Sequence, residues 1–563
     1  MNDKIICGLK LTHDGGIAVI KGNQLIFSIE MEKLNNNPRF SSIPDLSIVK
    51  HILAEYDLEI EDVDHFVIDG WSGLEDSFIE ARSNGNPVKL AVAGYREKAL
   101  SANVFQPFDH DSLPIDNHVL AYSSYMHVTG HIAGAYCSSP FARANQSSYI
   151  LVWDGGMFPR LYYFDAQKIA FQNLGPINFL IGNFYQVFAS YFHPFSVANP
   201  QQKEDLSIAG KVMAYIAKGE VVPDLLDEYN SVLKEHLDLS LDFVHTFVKH
   251  LHNRRIKEKY REEDMLATMH QFLQDQLLEG LKNKLSKYPA NERNLCYAGG
   301  CALNIKWNSA LRNSGLLKEL WIPPFPNDSG SAIGVACAKM ITVSPDRWLD
   351  WRVFCGPKVQ DSLEMDQEWS SMDCPIETLA GMIAENEDLP VVVLQGNAEV
   401  GPRSLGGRSI IASARSTSMK DILNRVKDRE PYRPVAPICL EEDAPEVFNP
   451  GSPDPYMLFD HMVKESWLQK IPAVCHLDGS ARLQTVNKAE NPVIYRLLAE
   501  YKRHTGIPVL CNTSANFKGK GFFPDVKSVM EWGEVDLIWS DDKLHYHKHA
   551  KSLVKQYDTL TAT

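Results

Sequence analysis

The 563-residue sequence predicts an α/β protein of two domains. Three observations carry that expectation. Short apolar runs stop abruptly at Asp-Gly or Gly-Gly, the way strands of an open α/β sheet hand polar loops to one edge. Other stretches carry apolar residues every three or four positions, the period of a helix packed on one face. The chain is also too long for a single hydrophobic core.

The elements follow in order. "KIICGLKL" is a short buried strand, closed by the turn THDGG and followed by "IAVI". "HFVIDG" (65–70) is another strand that ends in Asp-Gly. "SYILVWDGG" (148–156) is a third, ending in Asp-Gly-Gly. Residues 224–288 mix apolar residues at helical spacing with many charges and read as two or three amphipathic helices. "NLCYAGGCALN" reads as a strand, a Gly-Gly turn and a helix start. "PPFPNDSGSAIGVACAKM" is a Pro-rich loop opening a small-residue helix at Asp328–Ser331. From 342 to 375 the text loses any sustained period, so the first domain is expected to span 1–345 and the second 346–563. The second opens with the helix "IETLAGMIAE" and the strand "PVVVLQ".

Composition is that of an ordinary globular protein, with 44% hydrophobic and 23% charged residues. A net charge of −15 argues against a broad nucleic-acid-binding face. Ten scattered cysteines without a CxxC pair point to reduced thiols and a cytoplasmic protein. No apolar stretch approaches the length of a membrane span or a signal sequence.

Two sets of residues carry chemistry. On a helix, His127 and His131 in "HVTGHIAGAY" share one face and can share a divalent metal. A pair spaced this way is more often inert, but Asp154 and Asp328 would complete a His₂Asp₂ set. Imidazole with carboxylate suits iron, manganese or zinc. The Gly-Gly turns at 15–16, 155–156 and 299–300 offer bare N–H groups to phosphate oxygens. Together with their Asp partners they resemble the phosphate and adenosine loops of the actin/hexokinase-like ATP-binding fold. His13, in the first turn, could serve as a general base near a phosphate or acyl group, or be a turn histidine that bonds its own backbone.

In the second domain cations fall at loops: Arg403 and Arg408 in "GNAEVGPRSLGGRSI", Lys427, Arg429 and Arg433 in "VKDREPYRPVAP", and Arg482 in "HLDGSARLQTV". Asn512, Thr513, Ser514 and Asn516 end the strand of "VLCNTSANFKGKG". In an acidic chain, arginine forks beside Ser/Asn loops suggest an anion pocket. Surface salt bridges are the competing reading, and the pocket is favoured over them.

Taken together, "THDGG", "HVTGHIAGAY", "VWDGG", "AGKVMAYIAKG", "YAGGCALN", "PPFPNDSGSAIG", "GNAEVGPRSLGGRSI", "VKDREPYRPVAP", "HLDGSARLQTV" and "TGIPVLCNTSANFKGKG" closely resemble the bacterial O-carbamoyltransferase family of natural-product and nodulation-factor biosynthesis. The resemblance implies an actin/hexokinase-like (ASKHA) N-terminal domain and a C-terminal α/β domain similar to threonylcarbamoyl-AMP synthase. It implies that carbamoyl phosphate and ATP yield carbamoyl-adenylate, whose carbamoyl group passes to a hydroxyl of a small-molecule acceptor. By motif, His127, His131, Asp154 and Asp328 would bind the metal, expected as Fe(II), with Mg(II) accompanying ATP. His13 would be the base. Arg403, Lys427, Arg433, Arg482, Asn512 and Ser514 would hold carbamoyl phosphate, with Lys427 and Arg433 also in the chemistry. Gly155, Gly156, Lys211, Gly299, Gly300, Asn304 and Asn327 would surround ATP. Nucleic acid and membrane are not expected as partners; a homodimer is allowed.

Two motifs depart from the family pattern. Asn397 replaces an arginine of the G-R-x-E-x-G-P-R motif, and Gly15-Gly16 stands where Pro and Ser or Ala are common. Competing readings are tRNA threonylcarbamoyl transfer, disfavoured by the acidic charge, an ATP-dependent sugar kinase, and a nucleotide-binding regulatory module without turnover.

Overall fold

The first α/β unit is built twice from one plan. In the computed structural model, which describes residues 3–74, 77–200, 206–289, 292–360 and 367–558, the first sheet contains β1 (Ile5–Lys10), β2 (Gly16–Lys21), β3 (Gln24–Glu30), β4 (His65–Asp69), β7 (Phe108–Ile115) and β8 (His118–Tyr125). A hairpin of β5 (Ser77–Ser83) and β6 (Asn86–Val92) stands apart from it. The order is β3-β2-β1-β4-β8-β7. The strands β1, β4 and β8 run parallel, and β2 is antiparallel to both its neighbours.

The second sheet repeats that scheme with β9 (Ser148–Val152), β10 (Arg160–Asp165), β11 (Ala170–Pro176), β12 (Asn294–Ala298) and β13 (Glu319–Trp321). Its order is β11-β10-β9-β12-β13, with β10 antiparallel to both its neighbours as β2 is in the first sheet. A doubled 3-2-1-4-5 sheet is the actin/hexokinase-like arrangement expected from the Gly-Gly turns.

Between the two sheets lie the helices His127–Cys137 and Ser331–Val343. They cross at glycine, because a Cβ on Gly334 would stand 2.1 Å from the Gly130 carbonyl oxygen. Gly8 of β1 likewise lets the second helix lie on the sheet, where a Cβ would meet the Ala332 carbonyl at 2.1 Å. Close packing at these points leaves no slack in where the helix starts fall.

The charged stretch 224–288 forms the helices Pro223–His236, Phe243–Asn253 and Glu262–Leu285. They bury Tyr229, Phe247, Phe272 and Leu273 against one another. Among the described residues no helix is long and apolar enough to cross a membrane.

The second α/β unit contains β14 (Trp369–Asp373), β15 (Val391–Leu394), β16 (Arg408–Ser413), β17 (Ala436–Leu440), β18 (Phe448–Asn449), β19 (His461–Val463), β20 (Ser480–Ala481), β21 (Gln484–Val486), β22 (Val509–Ser514), β23 (Leu537–Ser540) and β24 (Lys543–His547). Eight of these form one mixed sheet, β14-β24-β23-β15-β16-β22-β17-β21, and β18, β19 and β20 a small one. "VVVL" is buried throughout, as its unbroken apolar run requires.

The aperiodic stretch after 342 is a strap. Leu25 donates to the Asp350 carbonyl and Ser28 to the Cys355 carbonyl, so the chain runs along β3 before Gly356 donates to Ala398. The seam between the units is tight. A Cβ on Gly521 would lie 1.7 Å from the Glu32 carbonyl, and Arg39 N–H bonds the Gly519 carbonyl at 3.0 Å.

Candidate active site

The helix crossing assembles four ligand-type side chains. His127 and His131 lie one turn apart on the first helix, Asp154 follows β9, and Asp328 opens the turn into the second helix. All four are buried, and one ligand atom of each lies within 4.8 Å of the others. The His127 and His131 Nε2 atoms are 3.1 Å apart. Asp328 Oδ1 is 3.4 Å from His127 Nε2 and 3.6 Å from His131 Nε2, and Asp154 Oδ2 is 3.7 Å from His127 Nε2.

The surroundings fix how these atoms face. His127 Nδ1 lies 2.7 Å from Asp69 Oδ2. A carboxylate only accepts, so Nδ1 carries the proton and Nε2 presents a lone pair inward. Lys10, buried, sits 2.9 Å from Asp69 Oδ2 and 3.0 Å from Asp328 Oδ2, which leaves Asp328 Oδ1 turned to the histidines. Burial works against the Lys10 charge, but Asp328 and Asp69 more than offset it and raise its pKa. Gly300 N–H bonds Asp154 Oδ1 at 2.7 Å, and the Tyr95 hydroxyl bonds Asp154 Oδ2. Two imidazole nitrogens and two carboxylate oxygens thus converge at a buried point. That donor set fits a divalent cation of the iron, manganese or zinc kind.

His13 lies at the mouth. Its Nδ1 is 2.9 Å from Asp14 Oδ2 and its Nε2 is 3.6 Å from Asp328 Oδ2, with 38% of the side chain exposed. Burial alone would lower its pKa, but the Asp14 hydrogen bond and Asp328 raise it. An exposed imidazole backed by a carboxylate is suited to accepting a proton from an incoming hydroxyl.

Of the residues expected around ATP, the glycines of the two Gly-Gly turns lie next to Asp154 in sequence or in contact. Gly155 and Gly156 turn after β9, the latter facing the Tyr95 ring. Gly299, at φ +93°, lies against the Trp153 carbonyl, where a Cβ would meet oxygen at 2.3 Å. The Asn304 side chain caps the helix Ile305–Asn313, and Asn327 Oδ1 accepts from the Ser329 hydroxyl. Lys211 instead faces the second unit, 3.6 Å from Glu430.

The arginines expected around carbamoyl phosphate do cluster. Burial and neighbouring arginines together push Arg403 down to about 10 and Arg429 down to about 9, and hold Arg482 well below the usual guanidinium range. Arg433 is among the like charges acting on all three. The Nε atoms of Arg403 and Arg482 are buried without a partner. Arg429 Nη1 donates to Thr513 Oγ1 at 3.0 Å and its Nη2 reaches Ser514 Oγ at 3.5 Å. Guanidiniums gathered with unpartnered donors are a chemistry that suits an anion.

Three expected ligands are engaged elsewhere. Arg408 does not join that cluster: its guanidinium donates to the carbonyls of Gln395, Gly407, Pro357 and Gly396, and the residue is 1% exposed. The expectation that it meets a phosphate is corrected accordingly. Lys427 uses its three donors on the Ser514 carbonyl and on Asn516, which holds the Ser514 loop in place. Asn512 donates to the Ser404 carbonyl and to Gln484 inside the sheet.

Four residues of the neighbourhood escaped the sequence reading. Asp69, Lys10 and Tyr95 surround the cation set, and Arg39 reaches the arginine cluster from the first unit, its charge acting on Arg403, Lys427 and Arg429. Lysine within an apolar strand and aspartate at a strand end were the available signals for the first two.

The two sites adjoin. Arg403 Nη2 lies 3.5 Å from the carbonyl of Leu303, in the turn that follows Gly299-Gly300. Gly401, at φ +88°, presses on the loop that leads to Asp328, where an added Cβ would stand 2.1 Å from the Pro324 carbonyl.

Two family profiles match the chain. The profile described as Carbamoyltransferase N-terminus matches residues 5–337, and that described as Carbamoyltransferase C-terminus matches residues 381–542. Nodulation protein U of Rhizobium tropici is 46% identical over 96% of this chain and 95% of its own length. The 3'-hydroxymethylcephem-O-carbamoyltransferase of Streptomyces clavuligerus is 32% identical over 95% of this chain and 98% of its own. Nodulation protein U of Bradyrhizobium diazoefficiens is 44% identical over 96% of each.

Proposed function

The chain belongs to the carbamoyltransferase family, and from that premise we propose that it makes carbamoyl-adenylate from carbamoyl phosphate and ATP and passes the carbamoyl group to a hydroxyl of a small-molecule acceptor. The observation that carries this reading is the adjacency of two unlike side-chain clusters. A cluster of guanidiniums opens at Leu303, on the turn that also bounds the His₂Asp₂ set.

Arg403, Arg429, Arg433 and Arg482 would bind carbamoyl phosphate and offset its negative charge. Water hydrolyses carbamoyl phosphate to carbamate and inorganic phosphate, and a carbamate oxygen then attacks the α-phosphorus of ATP and expels pyrophosphate. Main-chain N–H groups of the turns at 155–156 and 299–300 would hold the nucleotide phosphates. The acceptor hydroxyl then attacks the carbamoyl carbon, AMP leaves, and His13 Nε2 takes the hydroxyl proton. A divalent cation held by His127, His131, Asp154 and Asp328 supplies Lewis-acid polarisation of oxygen when bound.

The expected result is pyrophosphate release from ATP that requires carbamoyl phosphate. Acceptor candidates, a lipo-oligosaccharide and a hydroxymethylcephem first, should gain the mass of one carbamoyl group. His13→Ala should retain carbamoyl phosphate-dependent pyrophosphate release and lose at least about a hundredfold in acceptor carbamoylation, the scale of a general base. ADP in place of AMP and pyrophosphate, without need of carbamoyl phosphate, would return the kinase reading.

A further inference from the structure

The loop that carries Arg403 is held from outside its own unit. Lys33, in the turn after β3, is 2% exposed. Its ammonium donates to Glu30 Oε1 at 2.7 Å, to the Glu399 carbonyl at 2.6 Å and to the Gly401 carbonyl at 2.8 Å. Glu30 Oε1 accepts in turn from Gly401 N–H at 2.7 Å. All three protons of Lys33 are therefore used, two of them on main-chain carbonyls of the other unit.

The same loop is organised from within by Glu399. Its wholly buried carboxylate accepts N–H bonds from Leu405 and, at 3.1 Å, from Gly407. Residues 399–401 thus connect three things: the Glu30–Lys33 pair, the Pro324 carbonyl against Gly401, and Arg403 beside the Leu303 carbonyl. A buried ion pair is a poor way to gain stability alone, since apolar side chains would do as well or better. What it does give is direction: it orients the main chain on either side of Val400.

We propose that Lys33 and Glu30 of the first unit are positioning residues for the carbamoyl phosphate pocket of the second. They hold residues 399–401 so that Arg403 enters the arginine cluster. The inference rests on the pocket reading given above. It predicts that loosening the clamp weakens the anion site selectively, because among the described residues no nucleotide-side residue hydrogen-bonds to the side chains of the pair.

The test is calorimetric titration of the full-length protein with freshly prepared carbamoyl phosphate and, separately, with a non-hydrolysable ATP analogue. Lys33→Met should weaken carbamoyl phosphate at least tenfold and change the ATP analogue less than twofold. The double variant Lys33→Met/Glu30→Gln removes the carboxylate charge otherwise stranded, and should melt closer to the unaltered protein while its carbamoyl phosphate affinity stays low. Wild-type carbamoyl phosphate affinity in the double variant, or an equal loss for both ligands, overturns the positioning role. No carbamoyl phosphate binding by the unaltered protein overturns the pocket reading itself, and the positioning role with it.

Discussion

Asp69 shows how a residue outside the reaction can decide what a site holds. One carboxylate oxygen serves both Lys10, at 2.9 Å, and His127 Nδ1, at 2.7 Å. It sets the His127 tautomer and, through Lys10, the direction of Asp328. Asp69→Asn should therefore reduce divalent-metal affinity about ten- to a hundredfold, the usual scale for such partners. Metal titration of the chelator-treated protein measures this; an unchanged affinity would reduce Asp69 to a packing role. At this scale the sequence was legible in residue type and illegible in engagement. The motifs marked His127, His131, Asp154 and Asp328, which do meet. They could not distinguish Arg403, whose Nε lacks a partner, from Arg408, whose guanidinium is enclosed by four carbonyls. Glycine-rich turns expose carbonyls as readily as N–H groups, so a cation placed there has two destinations. Only the folded backbone selects between them.

Among the elements, the crossing of helices His127–Cys137 and Ser331–Val343 does most to build the site. Helix propensity does not explain it, since glycine at 130, 134, 330 and 334 disfavours both helices or their starts. Contact does: the Gly334 Cα side faces the Gly130 carbonyl with no room for a methyl. Gly334→Ala should force the axes apart and cost about 1–3 kcal/mol, as overpacking does. Because Asp328 is placed by one helix and both histidines by the other, metal content should fall along with melting temperature. A variant that melts lower yet holds its full metal would show that the ligands are positioned by their loops. The pattern of "HVTGHIAGAY" foretold a helix with two histidines on one face, and the strands ending in Asp-Gly foretold the sheets. Neither could disclose that this helix is buried on every side, because its partner lies far along the chain and the glycines of each read alone as turns.

Over the whole molecule, the charges at the seam tie the two units into one. Lys306, in the helix after Asn304, reaches Asp478 at 2.7 Å and Asp460 at 3.5 Å across it. Next to that lysine, His270 on the long helix Glu262–Leu285 is buried, and its carbonyl accepts from the Trp307 indole N–H. Burial, with Lys306 adding to it, pushes the His270 imidazole down to about 3. The unfolded chain, with histidine near 6.5, therefore binds a proton that the folded chain refuses. Stability from the neutral imidazole is complete above pH 6.5 and is lost as pH falls toward 3, at up to ~1.4 kcal/mol per unit. Protonation would also set a second cation beside Lys306, so acid should loosen the seam as it lowers stability. Urea midpoints at pH 7.5, 6 and 5 should fall steeply for the unaltered protein and by about that slope less for His270→Asn. Equal slopes in the two would mean that other groups dominate acid sensitivity and that the seam does not depend on this histidine remaining neutral.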